Sequence, residues 1–303
     1  MKKLGLAFFP LVVIVCFYFW TAQEKKSIID NRYYMSAPIE FMSSGLPYLT
    51  VEIEGKKFPA ELDLGYYSHV ALTNNLLTKI AGKTFIGTAS SCGWDGKKYA
   101  SNVFEIPEIK INKISIHPLY LYEEDPEFLT TSRIITNETE ALSLEHGRLG
   151  WRLFKKTKLF LDLGNAKIAV CDSIETFQKQ GYDLATFSKT PILLDNGLLE
   201  IDADTANGPL RCLLDTGCTV NILNTPLPSE KSMEEMLQNR ENFSEIKSFH
   251  IGGKNLGTAV FRCLSVQLPF KIEAILGMEF FLNHQVLIDF ANGEVYFARR
   301  ENG

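Results

Sequence analysis

The stretch LLDTGCTVNIL, residues 213–223, places an Asp-Thr-Gly tripeptide between two apolar runs. A related stretch, ELDLGYYSHVAL, spans residues 61–72 and carries Asp63 where the first stretch carries Asp215. An Asp-x-Gly tripeptide alone indicates no more than a turn after a strand, because aspartate and glycine both favour turn conformations. Such a tripeptide also begins at Asp162, so the choice between a turn and a functional site depends on the surrounding sequence.

The surrounding sequence forms an internal repeat. The two copies are GRLGWRLFKKTKLFLDLGNAKIAV (147–170) and AILGMEFFLNHQVLIDFANGEVYF (274–297). Gly150 and Gly277 are 127 residues apart, and so are Asp162 and Asp289, which means that the register holds through the whole segment. Because Asp162 matches Asp289 and not Asp215, we interpret Asp162 and Asp289 as structural turn residues. The sequence therefore predicts two related halves, each with one Asp-x-Gly stretch upstream of its copy.

Composition and charge exclude several classes of protein. A chain of 303 residues with 46% apolar residues is long enough for two domains and too apolar for a disordered chain. The net charge of -5 and the lack of a Lys/Arg cluster argue against nucleic-acid binding, which requires cations that meet the phosphates. The six cysteines show no Cys-x-x-Cys spacing, and one lies in an N-terminal apolar run. This pattern argues against a zinc knuckle and against a complete disulfide framework.

The N-terminal segment predicts a membrane anchor. Residues 4–22 form an uncharged run of nineteen residues, which is about the length that spans a bilayer. Trp20 falls where a signal peptidase needs a small side chain, so we interpret residues 1–26 as an uncleaved membrane anchor or signal segment. Lysines flank the run on both sides and leave its orientation open. We expect a single-pass membrane protein whose remaining chain is extracytoplasmic.

The rest of the chain is predicted to be mostly β. Alternating or short apolar runs that end in Gly, Asn or Asp predict strands. These runs are YLTVEIEGKKF (48–58), EIKINKISI (108–116), KLFLDL (158–163), LLEIDADT (198–205), AVFRCLSVQL (259–268) and VLIDFANGEVYF (286–297). Residues 87–106 predict a hairpin with an Asp-Gly dipeptide at its tip, which suits a type I′ turn. A capping box predicts one longer helix near 229–243, and a short helical turn is predicted after Thr73.

The combined pattern resembles the pepsin-like and retropepsin-like aspartic proteases over residues 45–300. In that family each lobe or subunit supplies one aspartate from an Asp-Thr/Ser-Gly turn and follows it with an apolar-apolar-Gly segment. LLDTGCTVNIL with AILGMEFF matches this pattern closely, and ELDLGYYSHVAL with GRLGWRLF matches it less well. The resemblance implies an all-β fold with two homologous β-barrel-like lobes and a cleft between them. It divides the chain into the anchor at 1–26, a first lobe at 45–172, a linker at 173–189 and a second lobe at 190–300.

The resemblance also implies an aspartic endopeptidase in which Asp63 and Asp215 form the catalytic dyad. Two carboxyl groups within hydrogen-bond range share one proton, so one acts as a base on water while the other acts as an acid. Aspartic-protease dyads are a standard example of such pairs, whose titration belongs to the pair as a whole. Thr216 offers a hydroxyl group to the opposite half, whereas Leu64 has none. The supporting residues implied by the resemblance are Gly65, Thr216, Gly217, Gly150 and Gly277, and neither a metal nor another cofactor is expected.

The hairpin at 87–106 occupies the place of the flap that closes over substrate in these enzymes. Its Trp94 and Tyr99 are candidates to cover the cleft, and packing against the lobe is the alternative for both. The expected partner is an extended polypeptide whose backbone pairs in β fashion, and the expected state is a monomer because both lobes lie in one chain. Residues 122–147 carry seven acidic residues against one arginine, which predicts a solvated loop or a selector of basic substrates.

Two other functions remain open. The first is a non-catalytic peptide-binding or scaffold protein of the same fold, in agreement with Leu64 and with the bulky Tyr66 and Tyr67. The second is a purely structural envelope protein. Retention of both aspartates and both glycines favours the enzyme, because a decayed site has no chemical reason to keep a buried acid. We interpret Cys218 as a packed side chain and His69 as incidental to the site.

Overall fold

The computed structural model describes residues 34–41, 45–92, 98–112, 114–117, 119–124, 146–194, 197–225, 242–265 and 272–300. Over these ranges the structure is mostly β, which confirms the all-β class predicted from the sequence. The predicted anchor lies outside the described residues, and so does most of the helix predicted near 229–243. No helix within the described ranges is long and apolar enough to span a membrane.

Short strands make up most of the described chain in both halves. The strands of the first half are β1 (Tyr34–Pro38), β2 (Glu40–Phe41), β3 (Pro47–Ile53), β4 (Lys56–Asp63), β5 (Val70–Thr73), β6 (Thr84–Cys92), β7 (Lys98–Ile106), β8 (Ile109–Ile111), β9 (Ile114–Ile116), β10 (Leu119–Glu124), β11 (Gly147–Gly150), β12 (Lys158–Asp162) and β13 (Lys167–Cys171). Those of the second half are β14 (Ser188–Pro191), β15 (Glu200–Thr205), β16 (Gly208–Leu214), β17 (Ile222–Asn224), β18 (Phe243–Ile246), β19 (His250–Ile251), β20 (Lys254–Asn255), β21 (Ala259–Leu264), β22 (Ala274–Leu276), β23 (His284–Asp289) and β24 (Glu294–Arg299). The α-helices are α1 (Asn74–Leu77), α2 (Ile174–Lys179) and α3 (Met278–Asn283), and 3₁₀ turns lie at Trp151–Phe154, Leu163–Asn165 and Leu184–Thr186.

The strands of the described chain form three sheets. The ten-stranded N-sheet has the order β6-β7-β10-β5-β11-β4-β3-β8-β9, with β2 paired to β3. The eight-stranded C-sheet has the order β18-β21-β17-β22-β16-β15-β19-β20. The six-stranded shared sheet has the order β1-β13-β12-β23-β24-β14, so it combines strands from both halves of the chain.

The side-chain patterns explain how these sheets are packed. In β7 the residues from Lys98 to Val103 alternate between exposed and buried, which is the period of a half-buried strand. In β12 all five residues are buried, because successive side chains point to opposite faces and both faces are covered. Phe160 of β12 packs with Phe177 in a smaller cluster, whereas Leu161 belongs to the main core. That main core also contains residues of the N-sheet and the C-sheet, so one apolar interior joins all three sheets.

The predicted hairpin at 87–106 is present in the structure. Strands β6 and β7 pair antiparallel, and their last described pair is Cys92 opposite Lys98. The tip of this hairpin, including Trp94, lies outside the described residues. The helical turn predicted after Thr73 is confirmed as α1, which begins directly after that residue.

The sequence repeat has a counterpart in the strand pairing. Strands β4 and β11 are parallel neighbours and place Asp63 opposite Gly150. Strands β16 and β22 are also parallel neighbours, with Leu214 opposite Leu276, and the next residue, Asp215, donates its N–H to Leu276 O at 3.0 Å. Each Asp-x-Gly turn therefore lies beside the apolar-Gly turn of its own half.

Asp162 and Asp289 are structural residues, as predicted. Asp289 Oδ1 accepts a hydrogen bond from Lys158 Nζ at 2.9 Å, and Asp162 Oδ2 accepts one from Gln285 Nε2 at 2.9 Å. Lys158 and Gln285 are again 127 residues apart. The asparagine three residues after each aspartate also donates its side-chain amide to that aspartate at 2.8 Å. The hydrogen bonds around the two terminal turns thus repeat with the same spacing as the sequence.

The structure differs from the expected domain boundaries in two respects. Strand β1 lies upstream of residue 45 and pairs with β13, so residues 34–38 belong to the folded part of the chain. The segment 173–189, predicted as a linker, contains α2 and ends within β14 of the shared sheet. The shared sheet thus adds β1, upstream of the expected first lobe, and β14, at the end of the expected linker, to strands from both lobes. The cysteines with described side chains, all free thiols, are Cys171, Cys212, Cys218 and Cys263.

Candidate active site

The two predicted catalytic aspartates lie together at the ends of two strands. Asp63 is the last residue of β4, and Asp215 directly follows β16. A Cβ atom built on Gly65 would lie 2.5 Å from Asp215 Cγ, and one built on Gly217 would lie 2.5 Å from Asp63 Cγ. Each carboxyl group therefore rests against the glycine of the opposite turn, where a side chain would displace it. The two carboxyl groups are close enough to hydrogen-bond to each other.

Thr216 links the two turns through its hydroxyl group. Its Oγ1 accepts a hydrogen bond from Leu64 N at 3.0 Å and donates one to Leu62 O at 2.6 Å. The residue is fully buried, so these two bonds are shielded from water. Leu64 occupies the matching position in the first turn, is also fully buried, and has no hydroxyl group to return the link. The two halves are therefore joined asymmetrically at the dyad.

Replacing Thr216 by valine is expected to lower the free energy of unfolding by about 2 kcal/mol, because it leaves a buried N–H and a buried C=O without their partner. Valine has nearly the shape of threonine, so packing is preserved and the loss reports the hydrogen bonds. Thr225→Val is a matched control, since Thr225 Oγ1 is buried without a hydrogen-bond partner among the described residues. Urea unfolding of both variants measures the difference. Equal stability of the two would contradict the role of Thr216.

Burial and mutual repulsion prevent full ionisation of the dyad. Burial, followed by the charge of Asp215, raises the pKa of Asp63 well above its ordinary value. Burial also raises the pKa of Asp215, but a hydrogen bond from Gly217 N to Asp215 Oδ1 at 2.8 Å opposes the rise, as does the hydrogen bond with Asp63. We take Asp215 as the carboxylate because its own turn supplies a backbone donor, Gly217 N, and we therefore place the shared proton on Asp63. The titration still belongs to the pair as a whole.

A buried arginine contacts the dyad and was not among the predicted site residues. Arg148, in β11, places Nη1 3.4 Å from Asp63 Oδ2 and Nη2 3.2 Å from Glu124 Oε1. Its guanidinium also lies over the ring of Tyr66, 5.2 Å from the centroid. The positive charge of Arg148 lowers the pKa of Asp63, but burial and Asp215 outweigh it. Asp63 is therefore held by the guanidinium of Arg148, and Asp215 by the backbone N–H of Gly217.

Comparison of the two copies of the repeat could have drawn attention to Arg148. In β11 and β4, Arg148 lies opposite Glu61, whereas the corresponding pair in β22 and β16 is Ile275 opposite Leu213. One half thus has two charged residues where the other half has two apolar residues. A charged pair at facing buried positions indicates a paired ionic contact, because an isolated buried charge is costly.

Gly150 and Gly277, the two supporting glycines predicted downstream of the dyad, lie directly against the Asp-x-Gly turns. A Cβ atom on Gly150 would lie 2.3 Å from Ser68 O, and one on Gly277 would lie 2.2 Å from Val220 O. Ser68 and Val220 occupy equivalent positions after the two aspartates. Each supporting glycine therefore allows the chain to pass closely behind one of the two turns.

The remaining residues singled out in the sequence lie around the site in several ways. Tyr99, in β7, is buried, which agrees with packing against the sheet. His69 packs its ring against Tyr120 with the centroids 5.4 Å apart, as expected for an incidental histidine. Burial raises the pKa of the Cys218 thiol, whose Sγ donates to Val220 O at 3.1 Å, so Cys218 is a packed thiol and a weak nucleophile.

Comparison with known proteins gives no assignment for this site. No protein-family model and no curated protein sequence matches the chain. Within the described ranges, no group of three or more His, Cys, Asp or Glu residues is placed to hold a metal ion. The function is therefore inferred from the two carboxyl groups and the residues around them.

Proposed function

We propose that this protein is an aspartic endopeptidase of the pepsin-like or retropepsin-like kind, with Asp63 and Asp215 as its catalytic dyad. The observation that carries the proposal is the reciprocal placement of the carboxyl groups, each against the glycine of the opposite turn. An ordinary Asp-x-Gly turn needs no such partner, and the Asp162 turn of this chain illustrates the difference. Asp162 instead accepts hydrogen bonds from the side-chain amides of Asn165 and Gln285.

A two-lobed architecture is part of this proposal. The N-sheet and the C-sheet form the two β-barrel-like lobes, and the shared sheet joins them beneath the dyad. Supporting observations are the parallel pairing of β4 with β11 and of β16 with β22. The hydrogen bonds that repeat with a spacing of 127 residues also support a duplicated design.

The reaction follows from the protonation assigned to the pair. Asp215, as the carboxylate, removes a proton from a water that attacks the peptide carbonyl carbon, while Asp63 donates its proton to the carbonyl oxygen. The resulting tetrahedral diol collapses when Asp215 passes its new proton to the amide nitrogen and the C–N bond breaks. Asp63 recovers a proton from the diol, so the dyad returns to its starting state. The substrate lies extended in the cleft between the lobes, with the β6–β7 hairpin as the flap.

A second function is favoured by two features of the first half. Leu64 has no hydroxyl group to match that of Thr216, and the guanidinium of Arg148 lies 3.4 Å from Asp63 Oδ2, where it favours the ionised form of that acid. Both features would suit a peptide-binding protein that has lost catalysis. The buried second carboxyl group argues for the enzyme, because a binding groove gains nothing from two adjacent acids that repel each other.

The proposed setting of the enzyme is a membrane to which residues 1–26 anchor it as a single-pass protein. The catalytic part is proposed to be extracytoplasmic, and the chain to act as a monomer because one chain supplies both aspartates. These proposals depend on the N-terminal sequence and on the pairing of the two halves.

Incubation of the purified full-length chain with an unstructured protein and a peptide library tests the proposed activity. We expect cleavage, which mass spectrometry of the products detects. We also expect inhibition by a pepstatin-like compound, whose hydroxyl group mimics the tetrahedral diol. Gly217→Ala is expected to abolish cleavage, since its methyl group would displace the Asp63 carboxyl group. Saturable peptide binding without cleavage across the acidic and neutral pH range would favour the binding protein instead.

A further inference from the structure

The contact between Arg148 and the dyad belongs to a buried network of charged groups. The side chain of Arg148 is 5% exposed, and its two carboxylate partners, Asp63 and Glu124, are 10% and 1% exposed. Both terminal nitrogens of the guanidinium are therefore committed to carboxylates in a region with little water. Charges interact strongly in such surroundings and are costly to bury alone.

The groups that face Asp63 come from every neighbouring element. Asp63 is faced by Asp215 after β16, Glu61 of β4, Arg148 of β11 and Cys218 in the second turn, and Arg148 is faced in turn by Glu124 of β10 and Tyr66 in the first turn. Arg148 is the cation of this set, and Glu124 is the nearer of its two carboxylate partners. The guanidinium therefore gives Asp63 an orienting contact, while part of its charge is neutralised by Glu124 and Glu61.

We propose that Arg148 and Glu124 are positioning residues of the dyad: Arg148 holds the Asp63 carboxyl group in place, and Glu124 neutralises enough of the guanidinium charge for Asp63 to keep the shared proton. The catalytic consequence rests on the proposed function, but the effect on Asp63 does not. Without Glu124, less of the guanidinium charge would be neutralised, and Arg148 would favour an ionised Asp63 more strongly. Without Arg148, the carboxyl group would lose its orienting partner and Glu124 would remain buried beside it.

The asymmetry of the dyad supports these roles. Asp215 is held by its own turn through Gly217 N, and the positions that match Glu61 and Arg148 in its half are the apolar Leu213 and Ile275. The charged network is thus built on one side of the dyad and distinguishes two otherwise equivalent carboxyl groups. Different surroundings for the two carboxyl groups allow one to act as the acid and the other as the base, and the proposed reaction requires both roles.

Carbon-13 NMR titration of the Asp63 carboxyl carbon in the full-length chain tests the proposal without any need for a substrate. Glu124→Gln is expected to lower the titration midpoint of Asp63, and Arg148→Met to raise it, each by on the order of one pH unit. Arg148→Lys keeps the positive charge and is expected to lie closer to the wild type than Arg148→Met. Asp63→Asn identifies the resonance. Shifts in the same direction for Glu124→Gln and Arg148→Met, or no shift, would overturn the proposal.

Glu200→Gln is the matched control for these variants. Glu200 is a buried glutamate of the C-sheet that pairs at 3.2 Å with Arg211, whose side chain is 31% exposed, so this substitution removes the same type of charge from an arginine pair outside the dyad. The Asp63 midpoint is expected to stay at its wild-type value. A shift as large as that of Glu124→Gln would overturn a specific role for Glu124. If Arg148→Met does not fold, Glu124→Gln and Arg148→Lys decide the question, because neither leaves a buried carboxylate without a cation.

The pH dependence of kcat/KM gives the catalytic readout. The whole profile is expected to move to lower pH in Glu124→Gln and to higher pH in Arg148→Met, whereas a purely structural defect lowers the rate without moving the profile. Opposite midpoint shifts in a protein that cleaves no peptide would support the network and reject the proposed function. Cleavage by the wild type with unmoved midpoints and profiles would support the proposed function and reject the network.

Discussion

Replacing Asp215 by asparagine is expected to lower kcat/KM for peptide hydrolysis by on the order of 10³ to 10⁴-fold, because an amide does not accept the proton of the attacking water. Asp63→Asn is expected to cause a loss of similar size, since an amide does not replace the carboxylic acid that protonates the carbonyl oxygen. Initial rates with a peptide found in the library measure both losses. The substitutions are nearly isosteric, so the positions of Gly65 and Gly217 against the side chains are preserved.

Asp162→Asn is the matched control for these two variants. It makes the same change in an Asp-x-Gly tripeptide outside the dyad, where the aspartate accepts hydrogen bonds from Asn165 and Gln285. Its kcat/KM is expected to stay close to that of the wild type, with some loss of stability. Unchanged rates in both Asp63→Asn and Asp215→Asn would exclude the dyad as the catalytic centre.

The Asp63→Asn variant is also expected to be more stable than the wild type at neutral pH. The pKa of Asp63 is raised in the folded protein, so the folded state binds this proton more tightly than the unfolded state does. The stability from that proton is fully present below the unfolded value of about 3.9 and is lost as the pH rises through the folded value. Asparagine does not ionise, so the gain grows as the pH rises from about 3.9 to the folded pKa of Asp63 and is constant above it. Thermal unfolding between acidic and neutral pH measures it.

The sequence predicted the parts of the structure that depend on local pattern. Period-two alternation predicted strands such as β24, in which buried residues alternate with partly exposed ones. The spacing of 127 residues predicted that Asp162 and Asp289 are equivalent, and their hydrogen bonds are equivalent too. Alternation does not determine which strand pairs with which, so the shared sheet and the place of β1 in it were not predicted.

The candidate site was also predicted only in part from the sequence. The tripeptides and the downstream glycines predicted that Asp63 and Asp215 belong together. The sequence did not predict which of the two carries the proton, because that depends on burial and on contacts between distant segments. Arg148 shows the reason most clearly, since its distance to Asp63 follows from the register of β11 against β4. A charged residue in an apolar pattern weakened the resemblance to the family, although it lies at the centre of the site.

Replacing Gly277 by alanine is expected to lower the free energy of unfolding by about 3 kcal/mol, because the new methyl group has no space. Its Cβ would lie 2.2 Å from Val220 O and 2.6 Å from Cys218 O, and both contacts are to backbone atoms. The φ angle of Gly277 is -95°, which any residue adopts, so the requirement for glycine at this position is one of space and not of conformation. Gly150→Ala is expected to behave alike, with its Cβ 2.3 Å from Ser68 O.

The lost stability has a direct connection to the dyad. Cys218 and Val220 follow Asp215 in the second turn, and Met278 N donates to Cys218 O at 2.7 Å, so the turn and the Gly277 segment move as one unit. A turn pushed away by the methyl group carries Asp215 with it. We therefore expect Gly277→Ala to lower kcat/KM by on the order of 10²-fold even where the variant is fully folded.

Gly82→Ala provides the control for the two glycine variants. A Cβ atom on Gly82 would meet only the end of the exposed Glu54 side chain, at 2.6 Å, so the cost is limited to the hydrogen bonds that Glu54 accepts from Ala81 N and Gly82 N. Its stability is expected to lie within about 1 kcal/mol of the wild type. Chemical denaturation and peptide cleavage are measured for all three variants. Gly277→Ala and Gly150→Ala could instead match Gly82→Ala in both measurements. That result would contradict the close passage of the chain behind the two aspartate turns, which is the reason for both glycines in the repeat.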